Sequence, residues 1–203
     1  ANNKTRILQT NEMMGNLKQA HQNRYEIPLT TPVEFPKQAV PLDPYALGLL
    51  LGDGCLTTST TPTFATTDPE LAEALETTIP EIQLFHKTSV DYVLQRKGGG
   101  GRGGVITANP LTATLRELGL AGTRSSTKFI PQAYLWNSSE VRLAVLQGLL
   151  DTDGGPVTQQ GRTCRIQYST NSVQLHDDVM FLVRSLGGVA YTRIRKAEDK
   201  KPG

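Results

Sequence analysis

Polar and apolar positions divide this chain into a mixed, polar opening and two stretches of ordered pattern. Residues Ala1 to Val40 carry one helical patch, around Thr10 to Ala20, and then a proline-rich run through Pro28, Pro32 and Pro36. Proline at that density blocks a helix and predicts an extended connector. Asp43-Pro44 supplies an N-cap and a first-turn proline, and Tyr45 to Leu51 is then almost wholly apolar up to Gly54. A short helix apolar on every face belongs at the centre of a domain. The pattern next predicts a strand over Pro62–Thr66, a helix over Pro69–Thr77 and a strand over Ser89–Arg96. A glycine tract over Gly98–Gly104 reads as a hairpin tip, followed by a strand over Val105–Thr107, a helix over Pro110–Leu118 and an extended Lys128–Pro131. A second series follows: a helix over Glu140–Leu150, a hairpin within Val157–Thr170, a helix over Ser172–Leu186, a strand over Val189–Arg195 and a charged tail.

The two series are copies. Gly48-Leu-Leu-Leu-Gly-Asp53-Gly54 recurs as Gly148-Leu-Leu-Asp-Thr-Asp153-Gly154, 100 positions later. Phe64-Ala-Thr-Thr with Leu71 recurs as Tyr168-Ser-Thr-Asn with Leu175, 104 positions later. Two motifs in the same order at nearly the same offset mark two α/β units related by a pseudo-two-fold axis. We divide the chain into a linker or docking segment (1–40), a first unit (41–135) and a second unit (136–203).

Each copy opens with a helix carrying small residues four apart, Gly48 and Gly52 in one, Gly148 and Thr152 in the other. Residues so spaced share a face, and small ones let two helix axes approach more closely than the usual ~8–10 Å. Packed on that face, the helices would bring Asp53 and Asp153 side by side. A carboxylate at a helix C-terminus meets the negative end of the dipole, and a second one adds repulsion. A divalent cation relieves both penalties, and magnesium takes one or two carboxylates with phosphate oxygens and water. The plainer reading is a helix stop, with the glycine of Asp-Gly in a left-handed cap. Its duplication on matched small-residue faces favours chemistry.

These motifs, Ala46–Gly54 and Leu146–Gly154, resemble the paired motifs of the LAGLIDADG homing endonucleases found in inteins. Lys128-Phe-Ile-Pro131 looks like the segment before their second motif, Tyr168-Ser-Thr-Asn-Ser172 with Ser185-Leu-Gly187 like their closing helix, and Asn23–Leu29 like the lead-in from a splicing domain. The resemblance implies an α+β fold, a pseudo-two-fold duplicated αββαββα with two antiparallel saddle-shaped sheets. It also implies cleavage of both strands of double-stranded DNA across the minor groove, Mg²⁺ (or Mn²⁺) as cofactor, Asp53 and Asp153 as metal ligands, and Lys128 assisting the water or phosphate. The partners so implied are DNA and the splicing domain of the host intein, with the chain itself a monomer. The sequence departs from the pattern in places. Leu51 stands where the second copy has Asp151. The last strand and helix of the second unit are missing, leaving Lys196, Lys200 and Lys201 as weak candidates for a second lysine. With Ala1 first and Gly203 last, the chain is not expected to splice alone.

Composition adds limits rather than direction. Charges nearly balance, 21 basic to 19 acidic, so net charge does not announce a nucleic-acid binder. Cys55 and Cys164 have no CxxC spacing, which argues against a disulfide framework or zinc site and fits a reducing cytoplasm. No apolar run approaches the ~20 residues of a membrane span. Strand alternation assigns Val90, Tyr92, Leu94, Cys164, Ile166 and Tyr168 to the core. It leaves Gln95, Lys97, Arg165, Gln167, Arg193 and Arg195, with Arg102 in the glycine tract, as candidate DNA contacts. Trp136 and Phe129 are assigned to the core. The alternative to a nuclease is a catalytically weak or inactive DNA-binding domain, or an RNA maturase, of the same fold.

Overall fold

The computed structural model describes residues 6–57, 61–98, 108–158 and 165–195. The chain divides into two compact units, Ala1–Thr30 and Thr31–Gly203. In the first, the helical patch shrinks to one turn, α1 (Thr10–Met13), and the residues after it form a small antiparallel hairpin of β1 (Lys18–Gln19) and β2 (Gln22–Asn23). No residue of α1 is buried, so nothing there rewards a longer helix.

The larger unit is α+β with antiparallel sheets. Its first copy runs α2 (Pro44–Asp53), β3 (Gly54–Cys55), β4 (Thr63–Ala65), α3 (Pro69–Thr78), β5 (Ile82–His86), β6 (Asp91–Arg96) and α4 (Pro110–Glu117), with the sheet in the order β3-β4-β6-β5. After a short α5 (Gln132–Leu135), the second copy runs α6 (Ser139–Asp153), β7 (Gly154–Val157), β8 (Arg165–Tyr168) and α7 (Val173–Ser185). The repeat holds down to strand register: Gly54 lies opposite Phe64, and Gly154 opposite Tyr168. Helix caps repeat too, with Asp68 opening α3 and Ser172 opening α7. The core lies around the paired helices α2 and α6, where Leu47, Leu49, Leu50, Val145 and Leu149 are all completely buried.

Several expectations are corrected here. Ile82–His86 forms a strand that the sequence pattern did not give, because three bulky residues in a row mask its alternation. Val90 is exposed, since it sits in the turn between β5 and β6. Trp136 is 48% exposed, packed edge-on against Phe35 at 5.1 Å rather than enclosed. Val189–Arg195 adopts no strand. Its place in the repeat corresponds to β5, and among the described residues β5 pairs with β6 alone, while the second copy has, among those residues, no counterpart of β6. Ile166 is 65% exposed for the same reason. Its counterpart in the first copy, Pro62, is buried where its carbonyl accepts from Leu94 of β6 at 3.1 Å. Arg102, the strand expected at Val105–Thr107, Cys164 and the three terminal lysines lie outside the described residues.

Residues 31–40 form an extended strap over α5, α6 and α7. Val33 donates its N–H to Ser185 O at 2.8 Å, and Gln38 exchanges backbone bonds with the Asn137 side chain at 3.1 and 3.0 Å. Arg142 fastens it. This fully buried guanidinium donates to Asn137 O, to Ser185 Oγ and to Val33 O, and lies over the Phe35 ring. Replacing Arg142 by methionine removes the donor to Asn137 O, Ser185 Oγ and Val33 O. We expect a loss of about 3 kcal/mol of stability, read by urea denaturation. A loss below about 1 kcal/mol would mean that the strap is held elsewhere.

Candidate functional site

The two central helices touch along the small-residue faces. A Cβ on Gly48 would overlap the Val145 carbonyl and come within 2.9 Å of Gly148 Cα. One on Gly148 would overlap the Tyr45 carbonyl and come within 2.8 Å of Leu49 N. One on Gly52 would overlap the Thr152 hydroxyl, which is itself satisfied by the Gly148 carbonyl at 3.0 Å. The helices therefore meet backbone to backbone, and the seam carries Asp53 and Asp153 out at the same end.

The glycines after the aspartates do not act as left-handed stops. Gly54 has φ −75° and Gly154 φ −99°, and each leads straight into a strand. They are needed for closeness instead: a Cβ would stand 2.9 Å from Leu50 Cα in one case and 2.7 Å from Leu150 Cα in the other. The chain turns from helix to sheet within one residue, so each aspartate is held at the helix–sheet junction.

Lys128, 5% exposed, reaches this junction from the segment before α5. Its ammonium donates to Leu50 O at 3.2 Å, Gly52 O at 2.8 Å and Gly54 O at 2.8 Å, which gathers the last turn of α2. Burial raises the pKa of the half-buried Asp53, the charge of Asp153 raises it further, and Lys128 partly offsets both. Asp153, more exposed, is raised by loss of solvent and lowered by Lys128. Lys128 is pulled down by burial, against the charges of Asp153 and Asp53. The junction thus holds two carboxylates and one ammonium, a net negative charge. Beside it opens a cleft of about 270 Å³ lined by Gly52, Lys128, Asp153, Ser169, Thr170 and Asn171. The buried Tyr168 hydroxyl has its pKa raised by loss of solvent and further by the charge of Asp153, with Thr170 beside it as a hydrogen-bonding group.

The arrangement suits a hard cation. Two carboxylates close enough for one charge to act on the other end their helices against unfavourable dipoles, next to an open polar cleft. Among the described residues no group of three or more acidic, histidine or cysteine side chains is gathered, so waters and a phosphate would complete the coordination. A larger open groove, about 590 Å³, runs along α7 past Met180 and Phe181, and its polar groups include an exposed His176–Asp177 pair. No matched acidic pair lines it, and we do not place chemistry there.

Protonation gives a test of this electrostatic picture. A carboxylate whose pKa is raised by folding stabilises the fold when neutral, below the ordinary carboxylate value. That contribution is lost as pH rises through the raised value. Asp153→Asn should therefore match the native protein in stability in strong acid and gain on it as pH climbs to neutral. Urea denaturation across that range reads the difference, and a difference of opposite sign would contradict the strained pair.

The remaining candidates lie on the surface. Gln95, Lys97, Arg165, Gln167, Arg193 and Arg195 are all exposed. Among the described residues no helix is long and apolar enough to cross a membrane. Sequence reasoning missed three polar groups that the fold uses. Tyr45 donates its hydroxyl to Asp151 at 2.8 Å, and burial and that carboxylate push its pKa up to about 12. The pair explains why the second copy carries Asp151 where the first has the buried Leu51. Asp178 and Arg142 were legible as polar residues on apolar stripes: Asp178 among Leu175, Val179 and Leu182, and Arg142 in line with Val145, Leu146 and Leu149.

Comparison with known proteins bears on the second copy and on a longer stretch. Residues 140–203 match a family model described as LAGLIDADG-like domain. The chain is 30% identical over 168 residues to a replicative DNA helicase DnaB of Mycobacterium intracellulare, a stretch covering 83% of this chain and 23% of that protein. It is 36% identical over 81 residues to a replicative DNA helicase DnaB of Rhodothermus marinus, covering 39% of this chain and 9% of that protein. The chain thus spans less than a quarter of the length of either relative.

Proposed function

We propose that this chain is the homing-endonuclease domain of an intein, a divalent-metal-dependent enzyme that cuts both strands of a specific DNA site across the minor groove. The observation that carries the reading is the backbone-to-backbone packing of α2 and α6, which delivers Asp53 and Asp153 to one junction. The site needs both copies of the repeat, and one chain contains both, so the working unit is a monomer.

Asp53 and Asp153 would hold Mg²⁺ or Mn²⁺, with scissile phosphate oxygens as further ligands. Bound there, the metal supplies Lewis-acid stabilisation of charge on the attacking and leaving oxygens. The protein's own share is positional. The glycine seam sets how closely the carboxylates approach, Lys128 opposes their charge, and loss of solvent at both makes a cation favourable there. Gln95 and Lys97 of the first sheet, and Arg165 and Gln167 of the second, present donors for base edges and phosphates, with Arg193 and Arg195 beyond α7. Arg102 belongs to the same proposed set.

The intein context rests on the helicase relatives. The chain contains no GxxxxGK[ST] phosphate loop, the element a nucleotide-driven motor would need. It reads as an insertion within such a protein rather than as part of the motor. A nuclease carried that way acts on the gene copy lacking the insertion, so its substrate is the uninterrupted junction sequence. Incubating the purified chain with DNA bearing that junction and Mg²⁺ or Mn²⁺ should give double-strand breaks at one place. Retarded mobility on a gel with no nicking in either metal would replace this reading with the DNA-binding alternative.

A further inference from the structure

We propose that Lys128 is a positioning residue rather than a proton carrier, and that Ser172 and Asp178 of α7 set its place. The proposal rests on the nuclease reading of the Asp53–Asp153 junction.

Three carbonyls, those of Leu50, Gly52 and Gly54, accept from the Lys128 ammonium. An ammonium has three N–H bonds and no acceptor, so this geometry uses its full donor capacity on the backbone of one helix end. Those carbonyls bracket Asp53, so the clamp fixes the turn that aims its carboxylate. A helix C-terminus with its last carbonyls gathered on a cation is also electrostatically complemented. A group so committed has no N–H left for water or a leaving oxygen unless the turn opens.

The other end of the lysine is tied to the second copy. The buried Ser172 hydroxyl donates to Lys128 O at 2.6 Å and accepts from Leu175 N at 3.1 Å, as the cap of α7. Two residues on, Ile130 donates its N–H to the buried Asp178 carboxylate at 2.8 Å, which Gln174 braces at 2.8 Å. Lys128 is thus a strut running from the start of α7 to the end of α2. The aim of the first aspartate depends on a helix of the other copy, which makes the two acidic groups a coupled pair.

The test compares native protein, Ser172→Ala and Lys128→Met by backbone hydrogen exchange, by Mn²⁺ binding, and by single-turnover cleavage against pH. Ser172→Ala removes one hydroxyl and spares the ammonium, so it serves where Lys128→Met fails to fold. The strut predicts faster exchange at residues 52–54 in Ser172→Ala, Mn²⁺ affinity lowered about tenfold, as for loss of a group that orients ligands, and a pH profile of unchanged shape. Unchanged exchange and affinity in Ser172→Ala would overturn it, as would a limb of the pH profile that vanishes in Lys128→Met. A native protein that binds Mn²⁺ and cuts no DNA would defeat the nuclease reading alone, because exchange and affinity still report on the strut.

Discussion

Asp153→Asn is expected to slow DNA cleavage by about a thousandfold, equivalent to about 4 kcal/mol of lost transition-state stabilisation, without weakening the fold. Both halves of that statement come from one junction. The carboxylate's charge is what a divalent cation would neutralise, and asparagine keeps the shape while removing it. The same charge is a burden to the fold without metal, since burial raises the pKa of Asp153 and its charge raises that of Asp53. Activity and stability should move in opposite directions, as they do where a site stores unfavourable electrostatics for function. Single-turnover cleavage and thermal denaturation on the same preparation would check it. Cleavage within threefold of native would remove Asp153 from the chemistry. A lower melting temperature at neutral pH would mean that the carboxylate is a structural ligand of Lys128 rather than a strained partner of Asp53.

Gly148→Val carries the second large effect, this time on folding. A first side-chain atom there overlaps the Tyr45 carbonyl and stands 2.8 Å from Leu49 N, both backbone of the opposite helix. No rotamer change relieves a clash with backbone, so α2 and α6 must move apart and open the core around Leu47, Leu49 and Val145. We expect a loss of about 4–5 kcal/mol, comparable with the whole margin of a marginal domain. Gly155→Ala is the control, because a Cβ there meets nothing within 4 Å. It should change stability by less than about 1 kcal/mol. Equal effects at the two positions, measured by urea denaturation, would show that the helix seam is looser than described.

Much of the fold was readable because its signals are local and written twice. Asp43-Pro44, Asp68-Pro69 and Asn109-Pro110 start α2, α3 and α4 where their caps demand, since a cap needs only the two or three residues beside it. The duplicated Gly-xxx-small face lies along the contact between α2 and α6, and an aspartate ends each of those helices. Strand boundaries were harder. A strand exists only with a neighbour to bond, and Val189–Arg195 has the alternation of a strand while lacking, among the described residues, the partner that β6 provides for β5. Ile166 shows the same dependence, apolar in sequence and 65% exposed in place.

The amino-acid order alone settled the duplication, the helix starts and the acidic residue that closes each central helix. Folding in three dimensions decided the rest: that Lys128 spends its ammonium on the carbonyls around Asp53, that Ser172 and Asp178 hold it from α7, and that Arg142 is buried under a strap. Local preferences act over a turn of helix, whereas these contacts join residues 40 to more than 100 positions apart. No periodicity in the chain encodes which distant polar groups will meet once water is excluded between them.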